Sequence, residues 1–213
     1  MLGRMRWGRG RKVVLEAEQI LGLSLLSVEL PQGSRRPERM VQKGAELLRR
    51  NRVTRVLVPA EFPWWEVLAH NGLRPVETRA LRCALAPAWV AAQLKRQNIS
   101  PEDAVLCLRG EKGEPELERV ARTLCPVIRN LILDVPGGNM TAKRLRQEMG
   151  IPVLLGGSFA AHLTLQFDGG PVLTGANVAL PSKTLPPDCD RFPLLGVLWE
   201  NGRIKIEEIA LEI

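Results

Sequence analysis

The fold class written into this sequence is α/β: a mostly parallel sheet finished by an antiparallel C-terminal hairpin and preceded by a small N-terminal α/β domain. Three observations predict it. Over residues 104–167, β-branched and leucine-rich runs alternate regularly with amphipathic runs of about three turns, and parallel neighbours can be joined only by such crossovers. Residues 13–72 read in the order β-β-α-β-α. Near the end, Asn201 and Gly202 suit the positive-φ turn of a hairpin between two apolar-rich runs.

The elements follow in order. "KVVLEAE" alternates Val13, Leu15 and Ala17 with polar positions and is separated at Gly22 from a second strand, "LSLLSVELP". In "RPERMVQKGAELLRRNR" Pro37 suits a first helical turn, Met40, Val41, Ala45, Leu47 and Leu48 form an apolar stripe, and Arg49, Arg50 and Arg52 crowd the C-terminal end. "VTRVLVPAEF" is a β-branched strand, and "PWWEVLAHNG" a short helix stopped by Gly72. "LRPVETRALRCALA" reads as a returning strand, which places a domain boundary near Ala86 and Pro87, before a helix through about Gln97. Then come strand "AVLCLR", helix "PELERVARTLCPVI", strand "NLILDV", helix "TAKRLRQEMG", strand "IPVLLGG" and strand "HLTLQF". The expected organisation is a basic arm at 1–12, a small α/β domain at 13–86, and a sheet domain with its hairpin at 87–213.

A chain of 213 residues that is 45% apolar can fill a real core. No apolar run approaches the roughly 20 residues of a membrane span, and the basic N-terminus lacks the apolar segment of a secretory signal. These features point to a cytoplasmic protein with no membrane association. Its four cysteines, Cys83, Cys107, Cys125 and Cys189, form no C-x-x-C pair, so no metal site is expected and buried thiols are. The net charge of +7 is uneven: residues 1–55 hold 13 basic against 5 acidic side chains, and the remainder holds 17 against 18.

The turn "RGEKGEPE" after the strand "AVLCLR" carries Gly110 and Gly113, and Asp134 ends the next strand, where an acid commonly accepts hydrogen bonds from a ribose. This segment resembles the Rossmann-type domains of NAD(P)-dependent enzymes, of the shikimate dehydrogenase and glutamyl-tRNA reductase type, over roughly residues 86–170 in its order of strands and helices. The resemblance implies a Rossmann-like fold, phosphates at Gly110 and Gly113, the adenosine ribose at Asp134, and NAD or NADP as cofactor. The chain departs from the family at the third glycine of G-x-G-x-x-G, which falls near Glu116. Glu111, Glu114 and Glu116 also set negative charge where a diphosphate would lie, and only Arg109 and Lys112 offset it.

Two further turns fall on the same predicted edge. "DVPGGNMTAKRLRQ" sets Gly137 and Gly138 before a helix, with Lys143, Arg144 and Arg146 beyond. Gly156, Gly157 and Ser158 follow the third strand. Ligands of open α/β sheets bind beyond the carboxyl ends of the strands, so Arg109, Gly110, Gly113, Asp134, Gly137, Gly138, Gly156, Gly157 and Ser158 form the candidate ligand rim. His162, Asp168 and Lys183 show no catalytic spacing, and without tyrosine the Tyr-x-x-x-Lys reductase pair is absent. Trp64 and Trp65 adjoin a strand-to-helix corner as interdomain packing or as a cleft wall. The arm interleaves Trp7 with Arg4, Arg6, Arg9, Arg11 and Lys12, the nucleic-acid candidates.

These features point first to a non-catalytic interaction or regulatory protein that keeps a Rossmann-like domain without its cofactor. A nucleotide- or dinucleotide-binding protein, NAD(P)-linked enzymes included, is the alternative, with a small molecule or nucleotide as ligand. A nucleic-acid-associated protein using the basic end is the third. Exposed terminal strands would suit a homo-oligomer.

Overall fold

The computed structural model describes residues 1–156 and 159–213. The fold is α/β, and the chain forms two compact units, Met1–Thr78 with Leu180–Ile209, and Arg79–Ala179 with Ala210–Ile213. Among the described residues no helix is long and apolar enough to cross a membrane.

The first unit holds β1 (Leu2–Gly8), β2 (Val14–Ile20), β3 (Leu23–Pro31), α1 (Pro37–Arg50), β4 (Arg55–Leu57), α2 (Trp65–His70) and β5 (Arg74–Pro75). The sheet order is β2-β3-β1-β4-β5, with only the β2–β3 pair antiparallel, joined at Leu21 and Gly22, both at positive φ. Residues 2–8, expected as part of a solvated arm, are therefore the middle strand of a sheet. Their alternation explains it. Met5 and Trp7 point to the face that α1 covers, where Gly44 lets the helix approach so closely that an added Cβ would meet Val28, Leu30 and Met5 at 3.0–3.2 Å.

Arg4 and Arg6 point to the opposite face and meet carboxylates there. Arg4, 2% exposed, donates to Glu18 and to Asp188, and Arg6 pairs with Glu29 at 2.9 Å and Glu16 at 3.8 Å. A guanidinium this deeply buried is tolerable only while paired. Trp64 and Trp65 pack edge-on against Phe62 at 5.5 and 5.9 Å, and Trp64 also meets Trp7 at 5.5 Å, so both tryptophans belong to the packing of this unit.

The second unit holds α3 (Arg79–Arg96), β6 (Val105–Gly110), α4 (Pro115–Leu124), β7 (Asn130–Asp134), α5 (Asn139–Met149), β8 (Val153–Leu155), β9 (Leu163–Phe167), β10 (Pro171–Val172) and β11 (Asn177–Ala179). Its sheet order is β10-β9-β6-β7-β8, with β6 to β9 mutually parallel and β10 antiparallel at the edge. The strand expected over 73–86 reduces to β5, because Leu81, Leu85 and Trp89 with Ala86, Val90 and Leu94 follow helical spacing. Ala86 and Pro87, the expected boundary, lie inside α3; the proline removes one backbone donor without ending the helix.

The last strands of the expected hairpin are also different. Residues Arg191–Glu200 form α6, in which Leu194, Leu195, Gly196, Val197 and Leu198 are all buried. A helix apolar on every side carries no 3.6-residue period to distinguish it from a strand. Asp190 caps its start through the Phe192 amide at 3.2 Å, Asn201 closes its end, and Gly202 (φ 63°) turns the chain out of it. An antiparallel pairing at the C-terminus does exist, between β12 (Ala210–Glu212) and β11.

Replacing Arg4 by methionine leaves Glu18 and Asp188 without their cation. Because these carboxylates are 28% and 37% exposed and can rehydrate in part, the expected loss is about 2 kcal/mol, below the cost of breaking a fully buried pair. Urea denaturation measures it; a variant as stable as the parent would contradict the structural role of the triad.

Candidate functional site

Parallel pairing brings the carboxyl ends of β6, β7, β8 and β9 to one edge. There the strand order reverses: β6 is followed in sequence by β7 on one side and paired with the later β9 on its other side. Chain leaving β6 and chain leaving β9 diverge, which opens a crevice between them. A cleft of 730 Å³ lies at this edge, lined by Arg109, Gly110 and Glu111 after β6, residues 133–139 from β7 to the start of α5, Leu155 and Gly156 after β8, and Gln166, Phe167 and Asp168 after β9.

Six of the residues expected at the ligand rim, Arg109, Gly110, Asp134, Gly137, Gly138 and Gly156, are brought together here. Gly113 is not: it lines a neighbouring depression with Glu114, Arg119 and Thr141. Gly157 and Ser158 lie outside the described residues. Local chemistry explains the glycines that matter. An added Cβ on Gly110 would press on Phe167 at 3.3 Å, so glycine permits the close approach of β6 and β9, and Gly137 takes a φ of 72°. The cleft also takes in Glu111, Phe167 and Asp168. Glu111 belongs to the turn after β6, and the signal for Phe167 and Asp168 was the parallel strand "HLTLQF", whose carboxyl end must share the edge.

Arg109 and Asp134 occupy paired positions on β6 and β7, and the guanidinium donates to Asp134 Oδ2 at 2.6 Å. This bond raises the Arg109 pKa further above its ordinary value. The pair neutralises itself, and among the described residues Glu111 and Asp168 have no ion-pair partner, so they give the cleft its net negative charge. The other two acids of the first turn are engaged elsewhere. Glu114, at the N-terminus of α4, accepts from the Gly169 amide at 3.2 Å, and Glu116 pairs with Arg79 at 3.5 Å. Glu114 makes no side-chain cap on α4, but its negative charge stands at the helix start that a diphosphate would use.

The remaining candidates lie apart from the cleft. Arg144 pairs with Glu118, Arg146 donates to the Val153 carbonyl, and Lys143 is exposed on α5. His162 sits at the opposite end of β6, where its Nδ1 accepts from the Val105 amide at 3.0 Å. Lys183, in the first unit, pairs with Glu208 at 3.0 Å, and among the described residues no three His, Cys, Asp or Glu side chains gather to hold a metal ion. Of the nucleic-acid candidates, Arg4 and Arg6 are paired and Trp7 is half-buried, whereas Arg9, Arg11 and Lys12 are exposed in the β1–β2 loop.

No family model and no curated protein matches the chain. Among solved structures, arylmalonate decarboxylase is similar over 72% of this chain and 86% of its own, with 13% identity and a TM-score of 0.24.

All four cysteines are buried, and burial pushes their thiols up, Cys125 to about 11 and Cys189 to about 12. Since the thiolate is the reactive form, a thiol reagent such as DTNB at pH 8 is expected to label none of them quickly in the folded protein and all after unfolding in guanidinium. One fast thiol in the native state would contradict these environments.

Proposed function

We propose that the protein is a non-catalytic binding protein, regulatory or interactive in role, whose Rossmann-like second unit takes a small nucleoside-type ligand of low negative charge in the cleft beyond β6, β7 and β9. The observation that carries this is the position of the cleft, at the reversal of strand order, where open parallel sheets offer backbone amides and side chains from several turns to one ligand.

Charge selects among ligands. With Arg109 engaged by Asp134, an entering phosphate faces Glu111 and Asp168, and a second one meets Glu114 at α4. Each carboxylate–phosphate approach at about 6 Å costs roughly 1–3 kcal/mol for effective dielectrics between water and a protein surface. Polyphosphates and dinucleotides are therefore disfavoured relative to a nucleoside, or to a nucleoside with a cationic substituent. Asp134 keeps its Oδ1 for a hydroxyl donor, and Gly137, with no atom within 4 Å of where a Cβ would stand, leaves room for close backbone approach. His162 lies at the far end of β6 and every thiol is buried, so neither supplies a reactive group to the cleft.

Thermal denaturation with adenosine, S-adenosylmethionine, ATP, NAD and NADP tests this. At a hundredfold excess over Kd a ligand stabilises by about 2.7 kcal/mol, which raises the Tm of a protein this size by about 5 °C or more. The expected ranking puts adenosine and S-adenosylmethionine above ATP and NADP. The reverse ranking would refute the charge argument, and no shift with any of the five would refute the ligand class.

A further inference from the structure

Two groups of cations in the first unit differ in their pairing. Those on the inner polar face of the sheet, Arg4 and Arg6, and Arg55 at β4 are all paired with carboxylates. Those around α1 are not. One groove of 550 Å³ beside α1 is lined by Arg11, Lys12, Lys43 and Arg50, with Glu46 as its only acid. A second, of 590 Å³ on the flank toward α2, is lined by Arg35, Arg36 and Arg39, with Glu38 as its only acid and Trp64 in its wall. All seven cations are exposed, and among the described residues none of them has an ion-pair partner.

Helix stability does not account for this arrangement. Arg49 and Arg50 in the last turn favour the macrodipole, but Arg36 at the N-cap and Arg39 in the first turn oppose it, each at a cost of about 0.3–1 kcal/mol. Arg36, Arg39, Lys43 and Arg50 also fall within one narrow stripe of the helix surface, a row about 21 Å long at 1.5 Å per residue. A row of this length matches a linear polyanion better than a single ion.

We propose that this face of the first unit binds a single strand of nucleic acid, with phosphates along the α1 row and both grooves and a base against Trp64. Five of the seven cations are arginines, whose planar guanidinium matches phosphate oxygens in pairs. The tryptophan distinguishes the partner: an aromatic wall gives an acidic peptide no particular contact, whereas an unstacked base stacks on it irrespective of sequence. An unstacked base is available on a single strand and not within a duplex. The site differs from the arm read in the sequence: Arg11 and Lys12 are retained, Arg4 and Arg6 drop out as internal partners of carboxylates, and α1 with the residues just before it supplies the other cations.

Fluorescence anisotropy of the full chain with a fluorescein-labelled 20-nucleotide RNA and DNA of mixed sequence tests the site. Binding with a Kd on the order of 1 μM in 50 mM salt is expected, weakening as salt rises with a log–log slope of about −4, since each neutralised phosphate of a single strand contributes about −0.7. The variant Arg36→Ala/Arg39→Ala/Lys43→Ala is expected to bind at least about tenfold more weakly, with a slope shallower by about 2. A control with the same loss of charge in the second unit, Lys95→Ala/Arg96→Ala/Arg119→Ala, is expected to stay within about twofold, with circular dichroism showing both variants folded. The proposal is overturned by absence of binding in low salt or by equal weakening in both variants. Tighter binding to duplex DNA, to a glutamate-rich peptide or to phosphatidylserine vesicles than to the single strand would overturn it equally.

Discussion

Parallel pairing on both sides of β6 is the constraint from which the rest of the second unit follows. A parallel neighbour cannot be reached by a tight turn, so each of β6, β7 and β8 sends its chain away before the next strand begins at the opposite edge. Every carboxyl end then falls on one rim. Because β9 pairs with β6 on the side away from β7, the loops leaving β6 and β9 separate rather than stack. The cleft is a consequence of the strand order, and its lining is a consequence of which residues end each strand.

Charge is used differently in the two units. In the first, the sheet has one apolar face under α1 and one polar face on which Arg4 and Arg6 are matched by Glu16, Glu18 and Glu29, with Asp188 completing the set. A second group of cations, Arg35, Arg36, Arg39, Lys43 and Arg50 with Arg11 and Lys12, lies around the outside of α1, where among the described residues none has an ion-pair partner. In the second unit, acids surround the start of α4 and the cleft, while two basic side chains of α5, Arg144 and Arg146, are committed to Glu118 and to the Val153 carbonyl. A basic face around α1 and a mildly acidic cleft are therefore separate features of opposite charge.

Most of the second unit was legible from sequence because its signals are local: apolar runs of strand length, helices with one apolar stripe, and glycines where chain must turn. The candidate rim was legible for the same reason, since strand ends in a parallel sheet share an edge. The failures are of another kind. Residues 2–8 read as a tail because two of their outward positions are arginines, and the partners that allow Arg4 to be buried lie 14 and 184 residues away. Residues 191–200 read as strand because uniform burial erases helical periodicity, and Asn201-Gly202 suits a helix end as well as a hairpin turn. Pro87 read as a boundary because its local effect on a helix is large, yet the buried stripe of α3 runs through it. The role of Glu114 depends on Gly169, 55 residues on, which no local pattern reports.

The central claim, that the diverging loop ends beyond β6 and β9, with the chain after β7 and β8, form the ligand site, is tested most directly by the glycine region of a ¹H–¹⁵N correlation spectrum during titration with adenosine. The amides of Gly110, Gly137, Gly138 and Gly156 are expected to shift together along one saturation curve, while Gly3, Gly44 and Gly202 of the first unit stay in place. Saturable shifts at the latter set with a motionless rim, or no shift at any rim glycine at millimolar ligand, would contradict it.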